Sequence, residues 1–104
     1  MYLTIASDGV ALQQPEVTTD LYASYRERLT ADRLAAVLAD HEAGELLQDG
    51  AHVMIPVATL RRLAAGRVPD GWDADFDAML AHARSKGWLS EDGEAVRAHL
   101  ERER

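Results

Sequence analysis

Apolar positions are densest between Ala51 and Ala65, and their period changes in the middle of that stretch. Val53, Met54 and Ile55 form a short β-prone run. Pro56 ends it, because proline forces the residue before it into extended geometry and cannot donate to a ladder. Proline also suits the first turn of a helix, where its missing N–H costs nothing. Val57, Leu60, Leu63 and Ala64 then recur at helical spacing, which predicts a helix over 57–65 capped by Gly66. Asp49-Gly50 is turn chemistry that closes hairpins. Counting outward from it pairs Leu47 with His52 and Leu46 with Val53, so 45–55 reads as a hairpin.

Alternation is cleanest at the start of the chain. Around Asp8-Gly9, Leu3, Ile5, Val10 and Leu12 share one face, while Thr4, Ala6, Ala11 and Gln13 share the other. Residues 2–14 therefore read as a half-buried hairpin, and the two hairpins are compatible with one four-stranded antiparallel sheet. Thr18 or Thr19 then caps an expected helix from Asp20, with Leu21, Tyr25 and Leu29 four apart. Thr30 to Asp32 interrupts it. Leu34, Val37, Leu38 and His41 fall at i, i+3, i+4 and i+7, predicting a helix that ends near Glu42. Val68 to Gly71 is a loop. Asp73 is expected to cap a helix to residue 86, with Phe76, Met79, Leu80 and Ala83 inward and acidic residues in its first turn.

Ser90 is expected to cap a last helix over 91–101, with Val96 and Leu100 inward and the end fraying through Arg104. Asp92-Gly93 supports a second reading, a third hairpin of Trp88–Glu91 against Glu94–Arg97. The stretch SKGWLSEDGEAVRAHLE vaguely resembles the wing region of bacterial winged-helix regulators, over less than a fifth of the chain and without a diagnostic residue. The resulting expectation is one α+β domain spanning 1–104. It has two short antiparallel hairpins packed with four to five helices, in the order ββ-α-α-ββ-α-α-α. The expected core is Leu3, Ile5, Leu12, Leu34, Val37, Leu38, Val53, Ile55, Leu60, Leu63, Phe76, Leu80, Val96 and Leu100.

Composition narrows the chemistry. The chain has 104 residues and no cysteine, which excludes disulfides, thiolate metal sites and a cysteine nucleophile. No apolar run approaches the roughly 20 residues of a membrane span, and no signal peptide is visible, so a cytoplasmic location is expected. Ala is the commonest residue and Lys86 is the single lysine, a bias typical of GC-rich bacterial genomes. The net charge of −7 argues against nucleic-acid binding, which needs a local basic face. Arg61, Arg62 and Arg67 are the only candidates for one, and arginines near a helix C-terminus also serve its dipole.

His41, Glu42 and Glu45 form HEAGE, which departs from the zinc-helix motif where a Glu stands for the second His and Gly44 breaks the helix. DADFD at 73–77 begins like a calcium loop, but Ala78 and Arg84 occupy the positions that need Gly and Glu. No serine sits in a nucleophile elbow. No metal and no cofactor is expected. Acid–base work needs only a titratable group in an apolar pocket, and the candidates are His52 on the second hairpin and His41, Tyr22 or Tyr25 from the first helical region, with His41 and His52 lining one cavity if the helix carrying His41 packs on that hairpin. Trp72 and Trp88 flank the 73–86 helix and are candidate contact residues. The leading functional expectation is an accessory protein that binds another protein, with no catalysis of its own. The small core and open ribbon edges add an expected homodimer. The alternatives are a ligand-binding protein or cofactor-free enzyme with a histidine in an apolar cavity, and a winged-helix regulator.

Overall fold

The computed structural model describes residues 1–26 and 28–103. The first hairpin forms as its alternation predicts. Strands β1 (Tyr2–Ala6) and β2 (Gly9–Gln13) pair antiparallel with Leu3 opposite Leu12 and Ile5 opposite Val10. The second forms with a shorter first arm. Strand β4 (Glu45–Leu46) meets β5 (His52–Pro56) with Leu46 opposite Val53, and the Leu47 amide donates to the His52 carbonyl at 3.0 Å.

The two hairpins do not meet. Between them lie two strands where helices were expected. Strand β3 (Tyr22–Tyr25) stands in place of the helix from Asp20, and β6 (Ala95–Arg102) in place of the helix over 91–101. The sheet runs β2-β1-β3-β6-β5-β4, with β1–β3 and β3–β6 parallel and the other pairs antiparallel. It is a six-stranded, curled, mixed half-barrel with three helices, which corrects the expectation of two short hairpins packed with four to five helices. Glu27, inside the first expected helix, and Arg104, at the expected frayed end, lie outside the described residues.

The alternative third hairpin exists in short form. Leu89 bridges Val96, the Ser90 amide donates to the Ala95 carbonyl at 2.8 Å, and the Arg97 amide donates to the Trp88 carbonyl at 2.7 Å. It is not a free wing, because β6 continues into the middle of the sheet with a strand on either side.

Three helices cover one face. Helix α1 (Ala31–Asp40) starts at Thr30, whose hydroxyl accepts the Arg33 amide at 3.1 Å. It buries Leu34, Val37 and Leu38. Helix α2 (Val57–Ala64) follows Pro56 directly and buries Thr59, Leu60 and Ala64. Helix α3 (Trp72–Ser85) starts one residue before the expected cap Asp73, with Gly71 in the capping position. Alternate strand residues Leu3, Ile5, Leu12, Val53, Ile55, Val96, Ala98 and Leu100 complete one apolar cluster. Of the expected core, only Leu63 and Leu80 are half-buried rather than buried.

The half-barrel does not end on a long open edge. At the β2 end, the Arg67 guanidinium donates to the Leu12 carbonyl at 2.8 Å and to the Leu63 carbonyl at 3.2 Å. The other end strand has two residues. Short edge strands resist pairing with a second chain, and the β4 end of the sheet is short in this way.

The link between α1 and β4 runs close against β5. The Thr59 hydroxyl donates to the Glu42 carbonyl at 2.6 Å, and the Ala43 amide donates to the Leu38 carbonyl at 2.8 Å. This presses Gly44 onto β5. A Cβ there would lie 1.9 Å from the Met54 carbonyl oxygen, and Gly44 has φ of +117°. Backbone on both sides leaves no side chain to move aside. Gly44→Ala is therefore expected to cost at least about 2 kcal/mol. Gly50→Ala, at φ of +68° with open space around it, should cost about 1 kcal/mol. Urea unfolding midpoints at constant slope measure both, and equal losses would show that the close approach at Gly44 is not felt.

Candidate functional site

The site arises from a mismatch in strand length. Strand β6 has 8 residues and β3 has 4, and the register starts at Tyr22 opposite His99. The first half of β6 therefore has no β3 beside it. Trp88 and Leu89 border that half through the short hairpin, and Leu21 ends short of them. The space left between is a groove of about 400 Å³.

Each wall has a local cause. Helix α3 presents Met79, Leu80 and Ala83 from its second half. The chain then turns at Gly87, whose φ is +76°, and the Trp88 amide donates to the Ala83 carbonyl at 2.9 Å. This seats the Trp88 ring across the groove, where it is 39% exposed. The loop before β3 contributes Thr19, Asp20 and Leu21. Strand β6 contributes Val96, Arg97 and His99, and β5 contributes His52.

Three of the four histidines, His52, His82 and His99, line this one groove. His52 and His99 are register partners, with ring centres 5.8 Å apart and planes at 71°. His82 meets Trp88 edge to face at 6.0 Å. Among the described residues no three His, Asp or Glu side chains come together in a way that could hold a metal ion. The Arg97 guanidinium has no ion pair among the described residues. Asp20 is the one carboxylate in the lining, and its backbone carbonyl accepts the Met1 amino group at 3.0 Å.

His52 is the most constrained ring. It follows the Asp49-Gly50 turn, where Asp49 Oδ1 accepts the Ala51 amide at 2.9 Å and the His52 amide at 3.2 Å. The other oxygen, Oδ2, lies 2.7 Å from His52 Nδ1. A carboxylate accepts only, so the Nδ1 proton of a neutral imidazole points at Asp49 and the lone pair is left on Nε2. Nε2 has no hydrogen-bond partner among the described residues. The His52 side chain is 31% exposed. The Ala51 amide first, then the His52 ring, hold the Asp49 carboxyl below its usual range.

The same register sets Tyr2, Tyr22, His99 and His52 in a row across four strands, each next to a buried strand residue. Tyr2 and Tyr22 stack at 5.0 Å with planes 11° apart. Partial burial first, then the neighbouring Tyr2 and the acidic side chains nearby, push the Tyr22 phenol up.

The other sequence candidates are elsewhere. His41 caps the end of α1 and packs over Gly9, beside a shallower depression lined by Val10, Arg62 and Leu63. It does not share a cavity with His52. Trp72 is 6% exposed, stacks on Phe76 at 4.6 Å and donates from Nε1 to the Pro15 carbonyl at 2.7 Å, so it is a core residue. Arg61 pairs with Asp77 at 2.8 Å and Asp73 at 3.3 Å and lies over the Phe76 ring. Arg62 donates to the His41 carbonyl at 3.4 Å. With Arg67 on Leu12, all three arginines are bound to the chain itself and present no free basic face. Among the described residues no helix is long and apolar enough to cross a membrane.

His82, Arg97 and His99 were not singled out from the sequence. The signal for two of them was present, since Arg97 and His99 alternate with Val96, Ala98 and Leu100. It becomes legible only once β6 is a strand.

Asp49 and Asp92 provide a stability test. Asp92 is also held below its usual range, first by the Ser90 hydroxyl and then by the Glu94 amide. A carboxyl whose folded value is depressed stabilises the fold above its unfolded value, and that contribution is lost as pH falls through the folded value. Urea unfolding followed from neutral pH downward should therefore show stability declining through the acidic range where both titrate. Asp92→Asn should be less stable than the parent at neutral pH, with the gap closing on acidification. A gap independent of pH would rule out this source.

No protein-family model, curated protein or solved structure matches the chain.

Proposed function

We propose that the protein binds a small molecule, mostly apolar with one polar end, in the groove between α3, Trp88 and β6. The observation that carries this is the convergence of apolar walls (Leu21, Met79, Leu80, Trp88) and a polar side (His52, Arg97, His99) on one gap of about 400 Å³. Ligand pockets have this character: volumes of roughly 300–1,000 Å³, apolar linings and a few polar groups that fix orientation. Trp88 strengthens the reading, as the only exposed large apolar side chain among the described residues. The expected docking of another protein through Trp72 and Trp88 retains one ring of the two, because Trp72 is inside the core.

Small aromatic ketones are suitable probes, having a flat apolar body and one acceptor. In ¹H–¹⁵N NMR titrations they should shift amides that cluster at Leu21, His52, Leu80, Trp88, Arg97 and His99. Leu80 is half-buried at the groove, so Leu80→Trp should fold and fill the space, weakening binding by about tenfold or more. Shifts scattered over the surface, or binding unchanged in Leu80→Trp, would overturn the proposal.

A further inference from the structure

Beyond binding, and resting on that groove reading, we infer that His52 is a general base that takes a proton from a bound carbon acid. Asp49 is its positioning residue, and Arg97 faces the anion that forms. The substrate class is a small, largely apolar molecule whose C–H bond is acidified by an adjacent carbonyl.

The geometry supplies each part. Asp49 Oδ1 alone serves the turn, by accepting the Ala51 and His52 amides. The turn leaves Oδ2 unused, and it lies 2.7 Å from His52 Nδ1. This bond fixes the ring and its tautomer, so Nε2 is the basic nitrogen and faces away from Asp49. It also places a carboxylate behind the imidazolium produced by proton transfer, as general bases in enzymes commonly have. His52 lines the groove, so its ring is beside whatever the groove holds. Arg97 lies on the same strand as His99, the cross-strand partner of His52, and its cationic group has no carboxylate partner among the described residues. A cation next to a developing oxyanion stabilises the transition state more than the ground state.

The step balances without a cofactor. The C–H bond breaks, and its electron pair passes into the adjacent carbonyl to give an enolate oxyanion beside Arg97. The proton moves to His52 Nε2. Where the substrate is β,γ-unsaturated, the anion is a dienolate, and return of the proton to its γ-carbon gives the conjugated isomer with no oxidant or reductant consumed.

A synthetic carbon acid tests this without knowledge of the natural substrate. When 5-nitrobenzisoxazole loses its ring C–H proton to a base, the electron pair forms a nitrile and the N–O bond breaks, releasing a coloured phenolate. The unreactive 6-nitrobenzotriazole has a similar shape and reports binding by NMR. The native chain should accelerate the elimination by about a hundredfold over buffer, within the usual range of a positioned base. His52→Gln should return the rate to that of buffer. Asp49→Asn keeps an oxygen for the turn amides but loses the carboxylate, and should slow elimination at least about tenfold. In ¹⁵N spectra of the imidazole, the native His52 proton should sit on Nδ1, and Asp49→Asn should mix the tautomers, which a purely structural role for Asp49 would not produce. His41→Gln, outside the groove, should leave the rate unchanged. If 6-nitrobenzotriazole binds at the groove and His52→Gln keeps the native rate, the general base is overturned and the groove stands. If it produces no shift at groove residues, both are overturned.

Discussion

The structure depends on β6 finding partners on both sides. The sheet is two ribbons, β2-β1-β3 from the N-terminal part and β5-β4 from the middle, and β6 is the only strand paired with both. Its Val96, Ala98 and Leu100 are buried in the core, and the side chains between them are exposed. Without β6, the β5-β4 ribbon would be a lone hairpin, which is marginal in water, and the three strands β2-β1-β3 would lose their only link to it. Its contacts are also the most distant in sequence. The Arg26 guanidinium and the Glu103 carboxylate, 77 residues apart, meet at 2.7 Å on the surface. Pairings of this kind are entropically late, so the ribbons and helices must be held in place largely by local contacts before β6 closes them.

That dependence explains what was legible in the sequence. Local signals were read correctly in position: the Asp49-Gly50 turn with its register, the shared face of Leu3, Ile5, Val10 and Leu12 in the first hairpin, the strand-to-helix switch at Pro56, and nearly every core side chain. The two misread segments share one cause. Leu21 and Tyr25 are four apart, as are Val96 and Leu100, and a spacing of four fits one face of a helix and one face of a strand equally well. The residue midway decides. It is Ala23 in one case and Ala98 in the other, both buried, and alanine is apolar enough for a strand interior and the best of helix formers. Burial between two neighbours then overrode propensity, which periodicity in a single chain does not register.

The groove was illegible for a different reason. It is a gap made by two strands of unequal length meeting in register, and no local pattern records where a neighbour stops. His52 was found because its hairpin is local. Arg97 and His99 were lost with β6. The expected meeting of His41 and His52 failed because α1 packs across β1, β2 and β4, which carries His41 to the tip of the first hairpin and away from β6.

Asp92 separates what Asp49 does for folding from what it can do in the groove. Both residues precede a glycine with φ near +70°, at 68° for Gly50 and 75° for Gly93, and both lead into a strand. Both accept a backbone amide two residues on, at 2.9 Å from Ala51 and 2.9 Å from Glu94. The turn device is therefore the same, and it helps to hold each carboxylate below its usual range, as the first cause at Asp49 and behind the Ser90 hydroxyl at Asp92. The difference lies in the remaining contact. Asp92 uses the same Oδ1 for the Ser90 hydroxyl at 2.6 Å, which also accepts the Ala95 amide and so closes the turn on itself. Asp49 instead turns its second oxygen to an imidazole that lines the groove. A turn needs only the first arrangement. The second adds nothing that Asp92 shows a turn to require, and it fixes the tautomer of the one groove histidine bonded to a carboxylate at under 3 Å.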